Sequence, residues 1–542
     1  MANHFYGQQT SGISKRICFR LFINPIMCNL FRFFAITAIL FWGINGVHAQ
    51  SSTSAEKNNF VFSAIKGTIS KTDSLILHST TGSIQIKWID GDTAYFRTRV
   101  GKIPGTNQVK IVLSFTPKAD FIGVARATIQ ITKSLKTVGE FKLTGLSSAG
   151  LEGENEPPLS HILDAFGYRT DIGWKSLANH CRPELTGDEL SASLFQKAGV
   201  GEVEMIPIAR YSPDFTLPFG YYTDEKEGPS KHKLGVLSTA SKYPEHQTLF
   251  PSLASGKSSF DPGKKIFGFY ASGSSHDAYS EDVWNMLLYP GNAVHATRIF
   301  PLKDANGNSI KNSFLLCFEE AKNGDYNDYV FLVKNISPVA DNSFTDLFNR
   351  KDLKGWNLFL QHIGINKDPH NNFRVEGGIL HVIGKDLGYI ITQKEYRNFH
   401  FKVDFKWGVS KWPTRENAKR DAGICYNIPM NEPDSIWPQS IECQIQEGDV
   451  GDFWLLGFST ISVRDSTNKP TNHARMVKFA DAEKPYSEWN TVEVISYNGK
   501  CVHIVNGVVV NVGENASVKS GRILLQSEFA EIFYRNVKIR SL

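Results

Sequence analysis

The stretch WPQSIECQIQEGDVGDFW, from Trp437 to Trp454, constrains the fold more than any other part of the chain. Ser440, Glu442, Gln444 and Gln446 alternate there with Ile441, Cys443 and Ile445. A period of two describes a β-strand with one apolar face and one face of hydroxyl, carboxylate and amide groups. Tryptophan brackets the strand, and a Gly/Asp loop follows it. Two readings fit this pattern. The outer strand of an antiparallel sheet alternates in the same way, with its polar face in water. A sugar-handling groove also needs Glu and Gln for hydroxyls, and indole faces for the C–H bonds of a pyranose.

The same alternation recurs along the chain, and 542 residues exceed what one core holds, so several β domains are expected. The first region, 58–148, carries SLILHS, SIQIKWI, KIVLSFTP, ARATIQI and GEFKLTGL, with turn residues such as Pro104-Gly105-Thr106 between them. That spacing predicts a β-sandwich. KIVLSFTPKADFIGVARATIQI resembles the immunoglobulin-like modules of the ASH/PapD type, which implies a spacer or docking role. GLEGENEPP, Gly150 to Pro158, reads as a linker. The second region, 159–338, opens with a predicted helix around Ser160 to Phe166 and continues with strands at Pro218–Tyr222 and Phe267–Tyr270. Its end, His295 to Ile336, resembles DUF4114-like modules, in which an acidic D-x-N-D turn leads into a V-F-x-V strand. In the third region, 342–542, Glu376-Gly377-Gly378, Tyr497-Asn498-Gly499 and Asn506-Gly507 are hairpin signals. Clean alternation without helical interludes predicts two stacked sheets there.

Residues 1–49 read as a secretion signal. An apolar run from Phe33 to Ile44 follows Arg32, and Val47-His48-Ala49 supplies small residues before Gln50. A start at Met27 would give the signal ordinary proportions. The run is too short for a permanent membrane anchor. Removing it takes away Lys15, Arg16, Arg20 and Arg32 and no acid, leaving 55 basic and 54 acidic side chains. Nothing then argues for a nucleic-acid partner or a polybasic membrane surface. An exported protein is expected: periplasmic, cell-surface or secreted. The five remaining cysteines, Cys181, Cys317, Cys425, Cys443 and Cys501, show no zinc spacing and read as buried thiols or at most one bridge.

Three motifs in order carry a resemblance in the third region. They are FTDLFNRKDLKGWN, then RDAGICYN with SIECQIQEGDVGDFW, then EWNTVEV, HIVNGVVVN and GRILLQSEFAEIFYRNVKI. Together they resemble the 3-keto-disaccharide hydrolase domain, which implies a concanavalin-like jelly-roll sandwich. The whole chain then reads as all-β and multi-domain: an Ig-like sandwich, a DUF4114-like β module and the jelly roll. The resemblance also implies a glycoside hydrolase or lyase whose substrate has first been oxidised at C3 by a sugar 3-dehydrogenase. A C3 ketone acidifies the C2 hydrogen. A base can then take that proton, the C1 aglycone leaves by β-elimination, and water can add to the double bond.

Within the motifs, Glu442 is the first candidate for base or acid, with Gln444 beside it and Asp421 or Glu447 as second carboxyl. Arg415 and Arg420 are candidates to polarise a carbonyl. Asp449, Glu528 and Asn427 are candidate substrate contacts, and relatives often carry histidine at the Asn427 position. Tyr426, Trp437 and Trp454 are candidates for stacking on a sugar. Asp421, Gly423, Cys425 and Asn427 are expected on one strand face, with Gly423 leaving room for a ring. LFNRKDLKGW reads as structural, with Asp352 bonding backbone. The alternative is a non-catalytic, lectin-like glycan-binding surface protein, though its groove would not need so many carboxylates. Asp325, Asn327 and Asp328 offer hard oxygens for a structural Ca²⁺, as do Asp304 and Asn306; an Asx-rich hairpin turn is the competing reading.

Overall fold

Alternation becomes strand almost throughout the computed structural model, which describes residues 58–78, 83–151, 153–177, 180–225, 228–238, 247–340 and 344–542. The expected signal segment lies outside these residues. Among them, no helix is long and apolar enough to cross a membrane.

The first region is two sheets around one core. A four-stranded sheet runs Asn59–Ile65, Lys136–Ser148, Gly123–Lys133, Ile84–Gly91, and a three-stranded sheet runs Asp73–His78, Gln108–Phe115, Phe96–Lys102. Phe60, Phe62, Leu75, Ile111 and Phe115 fill the space between them. Asn59–Ile65 pairs parallel with Lys136–Ser148.

The second region also stacks two sheets. Leu217–Glu225 pairs with Gly268–Ser272 in one, and Ser309–Phe318 pairs with Tyr329–Lys334 in the other. Phe219, Phe269, Leu316 and Phe331 meet between them. Two short helices join this region to its neighbours. Leu159–Ala165 buries Leu159, Ile162 and Leu163 in a cluster that includes Leu146 of the first region. Asp282–Leu288 places Val283, Trp284 and Leu287 against Ile495, Val502 and Ile504 of the third. Burying side chains of this size stabilises by roughly 1.5–3 kcal/mol each.

In the third region, the strand pairs are antiparallel, and apart from the short Ser462–Val463 and Ser466–Thr467 hairpin they form two large sheets. One runs Phe373–Glu376, Ile379–Val382, Ala530–Ser541, Phe399–Lys411, Asn490–Tyr497, Lys500–Val505, Val508–Gly513. The other runs Gly364–Ile365, Trp356–Leu360, Gly388–Thr392, Ser520–Ser527, Gly423–Ile428, Ser440–Gln444, Phe453–Leu456, His473–Met476. Ile441, Cys443 and Ile445 point into the core between the sheets, with Ile424, Phe453, Val494 and Leu525. LFNRKDLKGW is a packed edge turn. Phe348 and Trp356 are buried, the Trp356 indole donates to the Leu347 carbonyl (2.8 Å), and Asp352 accepts from the Lys354 amide (2.9 Å). All five described cysteines are free thiols, and four of them are buried.

Candidate active site

Because Ile441 and Cys443 face the core, Ser440, Glu442 and Gln444 face outward from the second sheet. They are nevertheless buried: Glu442 is 5% exposed and Gln444 6%. The reading of Ser440–Gln444 as a water-facing strand is therefore corrected. The strand also ends at Gln444, so Gln446 lies in the following turn.

Strand register gathers the neighbours of Glu442. Cys425 pairs with it on one side and Trp454 on the other, and Gly423 pairs with Gln444. The adjoining strand brings Gln526, with Glu528 just beyond its end. Gly423 is required here by close approach. A Cβ at that position would sit 1.9 Å from Glu442 Oε1 and 2.4 Å from Gln526 Oε1. The expectation that Gly423 leaves room for a sugar ring is corrected: Glu442 and Gln526 occupy that space.

Two carboxyls meet at one guanidinium, and both act electrostatically on the third, Glu442. Arg415 Nη2 lies 2.5 Å from Asp421 Oδ2 and 3.0 Å from Glu528 Oε2, and Gln446 Nε2 donates to the same Asp421 oxygen at 2.7 Å. Asp421 Oδ1 is buried with no hydrogen-bond partner, as is Gln526 Oε1. Burial, then the charges of Glu528 and Asp421, push the Glu442 carboxyl well above the usual carboxylate range. Burial and Asp421 push Glu528 up to about 8, against the pull of Arg415. Burial raises Asp421 as well, opposed by Arg415 and Gln446. The group therefore retains a proton at neutral pH, and one carboxyl can donate while another accepts.

An apolar wall continues the same sheet face. Tyr389, Ile391, Cys425, Ile428, Leu456 and Leu524 are buried there, and Phe359, Trp437 and Trp454 pack on them partly exposed. Phe359 stacks on Tyr389 with ring centroids 5.3 Å apart. Trp437 and Trp454 thus stand on the face that carries Glu442. Tyr389, Phe359 and Gln446 complete the surroundings. The alternation in GYIIT marks Tyr389, but only strand pairing shows which strand it joins.

Several expected site residues do not join. Tyr426 points into the core, fully buried, with its hydroxyl 2.9 Å from His503 Nε2. Asn427 sits at a register shift with φ of 58°, and it turns inward to bond Ser496 Oγ (3.0 Å) and the Val518 carbonyl (3.1 Å). The bulge removes it from the Asp421–Gly423–Cys425 face. Arg420 and Glu447 pair with each other at 2.8 Å, and Arg420 also donates to the Gly408 and Val409 carbonyls. Asp449 pairs with Lys419 and Arg475. These three hold loops together instead of reaching the acid cluster.

Among the described residues, one group of acids has oxygens close enough to share an ion. It is Glu319, Asp325 and Asp328 in the second region. Asp325, Asn327 and Asp328 are all buried, so their turn is not a solvated hairpin tip. Glu319 was not visible as a member from the sequence. Asp304 instead accepts the amides of Asn306 and Asn308, both at 2.9 Å, as an exposed Asx turn.

Fold and site together define a β-sandwich domain with a buried acid cluster on one sheet face. Residues 343–540 match the family model of the 3-keto-alpha-glucoside-1,2-lyase-like domain, and the C-terminal region is a domain of that family. No curated protein matches the chain. Solved structures similar to it include the "Putative glycosyl hydrolase" of Parabacteroides distasonis ATCC 8503 (21% identity, 38% of this chain and 98% of that chain, TM-score 0.28). Others are the carbohydrate-binding module CBM66 of Bacillus subtilis (8%, 34% and 96%, 0.24) and the Bacillus licheniformis β-glucanase (10%, 37% and 97%, 0.25).

Proposed function

We propose that this is an exported enzyme whose C-terminal domain cleaves 3-keto-glycosides at the Asp421–Glu442–Glu528 cluster. The observation that carries the reading is three buried carboxyls that feel one another's charge, with Arg415 paired to two of them. Such a group is unfavourable in a fold unless its chemistry is used. A lectin-like groove needs amides and aromatic rings but no shared proton.

The proposed chemistry follows from the protonation pattern. Asp421, held by Arg415 and Gln446, takes the C2 proton that the C3 ketone has acidified. The C1–O bond then breaks as the C1=C2 double bond forms. Glu442, protonated at rest, gives its proton to the leaving oxygen, and Glu528 shares the remaining charge with Arg415. Water adding to the double bond completes a hydrolysis; release before that step is a lyase reaction. Gln444 and Gln526 are placed to bond hydroxyls, and the wall of Trp437, Trp454 and Phe359 to receive an apolar ring face. The substrate requires a preceding oxidation at C3, so a sugar 3-dehydrogenase is the expected partner in sequence.

The test is mass spectrometry of products from 3-keto-glucosides beside their unoxidised parents. Aglycone release from the keto form alone is expected. The sugar product shows hydrolase or lyase action by the presence or absence of one water. Equal cleavage of the parents contradicts the proposal. Glycan binding with no cleavage of any keto form replaces it with the lectin reading.

A further inference from the structure

The second region contains a buried acid cluster that the C-terminal chemistry does not use. Glu319, Asp325 and Asp328 each place a carboxylate oxygen within 4.8 Å of the others, and none is more than 6% exposed. Ca²⁺ binds each oxygen at about 2.3–2.6 Å, so carboxylates this close can reach one ion.

Two further observations point to a cation. First, no described Lys, Arg or His forms an ion pair with any of the three; the nearby Arg298 is spent on Glu189. Backbone amides of Ala321, Asp325 and Glu320 donate to the carboxylates, at 2.8, 3.0 and 3.1 Å, but an amide carries no full charge. Second, Asn327 stands between the two aspartates, fully buried. It gives Nδ2 to the Pro157 carbonyl (3.0 Å) and its backbone N–H to Asp325 Oδ1 (3.5 Å). Its Oδ1 is left buried with no hydrogen-bond partner. The turn that carries Asp325 and Asp328 thus also carries an orphaned acceptor oxygen. An unpaired buried oxygen is destabilising, and a cation ligand bond removes that cost.

We propose that Glu319, Asp325 and Asp328, with Asn327 Oδ1, form a Ca²⁺-binding site that holds the second region together. All donors are oxygen, which suits a hard cation over zinc or copper. The site has a structural reach beyond its own turn. Tyr326, between the ligands at φ of 57°, bonds the His295 and His180 carbonyls through its hydroxyl. The His295 ring in turn bridges Asp282 and Glu189, at the edge of a cavity of about 540 Å³ shared with the C-terminal domain. An ion fixing Tyr326 would therefore steady that junction.

The test uses the full mature chain stripped with EDTA and titrated with CaCl₂, read by calorimetry and thermal unfolding. One Ca²⁺ per chain and a rise in Tm of several degrees are expected, with Mg²⁺ much weaker. The double substitution Asp325→Asn/Asp328→Asn should abolish both signals. Because that variant can fail to fold, Tb³⁺ emission excited through Tyr326 and Trp174 gives a second readout on the wild type. Displacement of Tb³⁺ by Ca²⁺ at one equivalent is expected. Absence of heat and of any Tm shift in the wild type overturns the proposal. So does a Ca²⁺ response that survives in the folded double variant.

Discussion

Two trios of buried carboxyls sit in this chain and are neutralised in different ways. Asp421 and Glu528 share Arg415, Glu442 feels the charge of both, and the three lie on the outer face of a sheet beside partly exposed tryptophans. Glu319, Asp325 and Asp328 have no ionic partner among the described residues and lie beneath a turn lined with backbone donors. The first trio has a single cation beside three carboxyls, two positive charges short of neutral, which leaves a proton to move. The second is short of charge altogether and one oxygen acceptor over, which suits an ion. The same side-chain chemistry thus supports proton transfer or metal binding according to what stands beside it.

The largest effect expected from breaking this contrast is at Glu442. Glu442→Gln keeps shape and removes the proton donor, so aglycone release from a 3-keto-glucoside should fall roughly 10²–10⁴-fold. Thermal unfolding should change little, because burial and the charges of Glu528 and Asp421 already disfavour the charged form of Glu442 in the fold. Arg415→Gln comes next. It leaves Asp421 and Glu528 without their cation and should cost about 3 kcal/mol in urea unfolding, the low end for a buried pair because Arg415 is partly exposed. Turnover should drop with it. Removing the cation from Arg420–Glu447, a more exposed pair on a loop, should cost about 1 kcal/mol and leave turnover largely intact.

Gly423→Ala sharpens the geometry. A Cβ 1.9 Å from Glu442 Oε1 must displace that carboxyl, and a drop of roughly tenfold in kcat/KM at unchanged substrate affinity is expected. The smallest effect is in the pH dependence of stability. Glu528 binds its proton more tightly folded, at about 8, than unfolded, near 4.5. Its contribution is full below about 4.5 and is lost as pH rises through about 8. Glu528→Gln should flatten that decline, measured as Tm across the range; an unchanged slope would remove Glu528 from the shared-proton group.

The strand was legible because alternation is local: Ile441 and Cys443 fix which way Glu442 points. Which groups meet Glu442 was less so. Arg415 and Glu528 are 113 residues apart in sequence and come together only through the sheet order. Asn427 misled because a bulge reverses its face, and nothing in RDAGICYN marks a positive φ there. Arg420, Glu447 and Asp449 read as site charges because a charge shows in sequence and its partner does not. Glu319 was missed for the same reason. The acidic turn was visible, but the residue that completes it stands at the end of the preceding strand.

The central claim is proton abstraction at C2, followed by elimination. It is tested most directly with a 3-keto-glucoside carrying deuterium at C2, by following aglycone release and the label together. A primary isotope effect on release and loss of deuterium from the sugar product are predicted. Release at an unchanged rate, with deuterium retained at C2, would contradict the account.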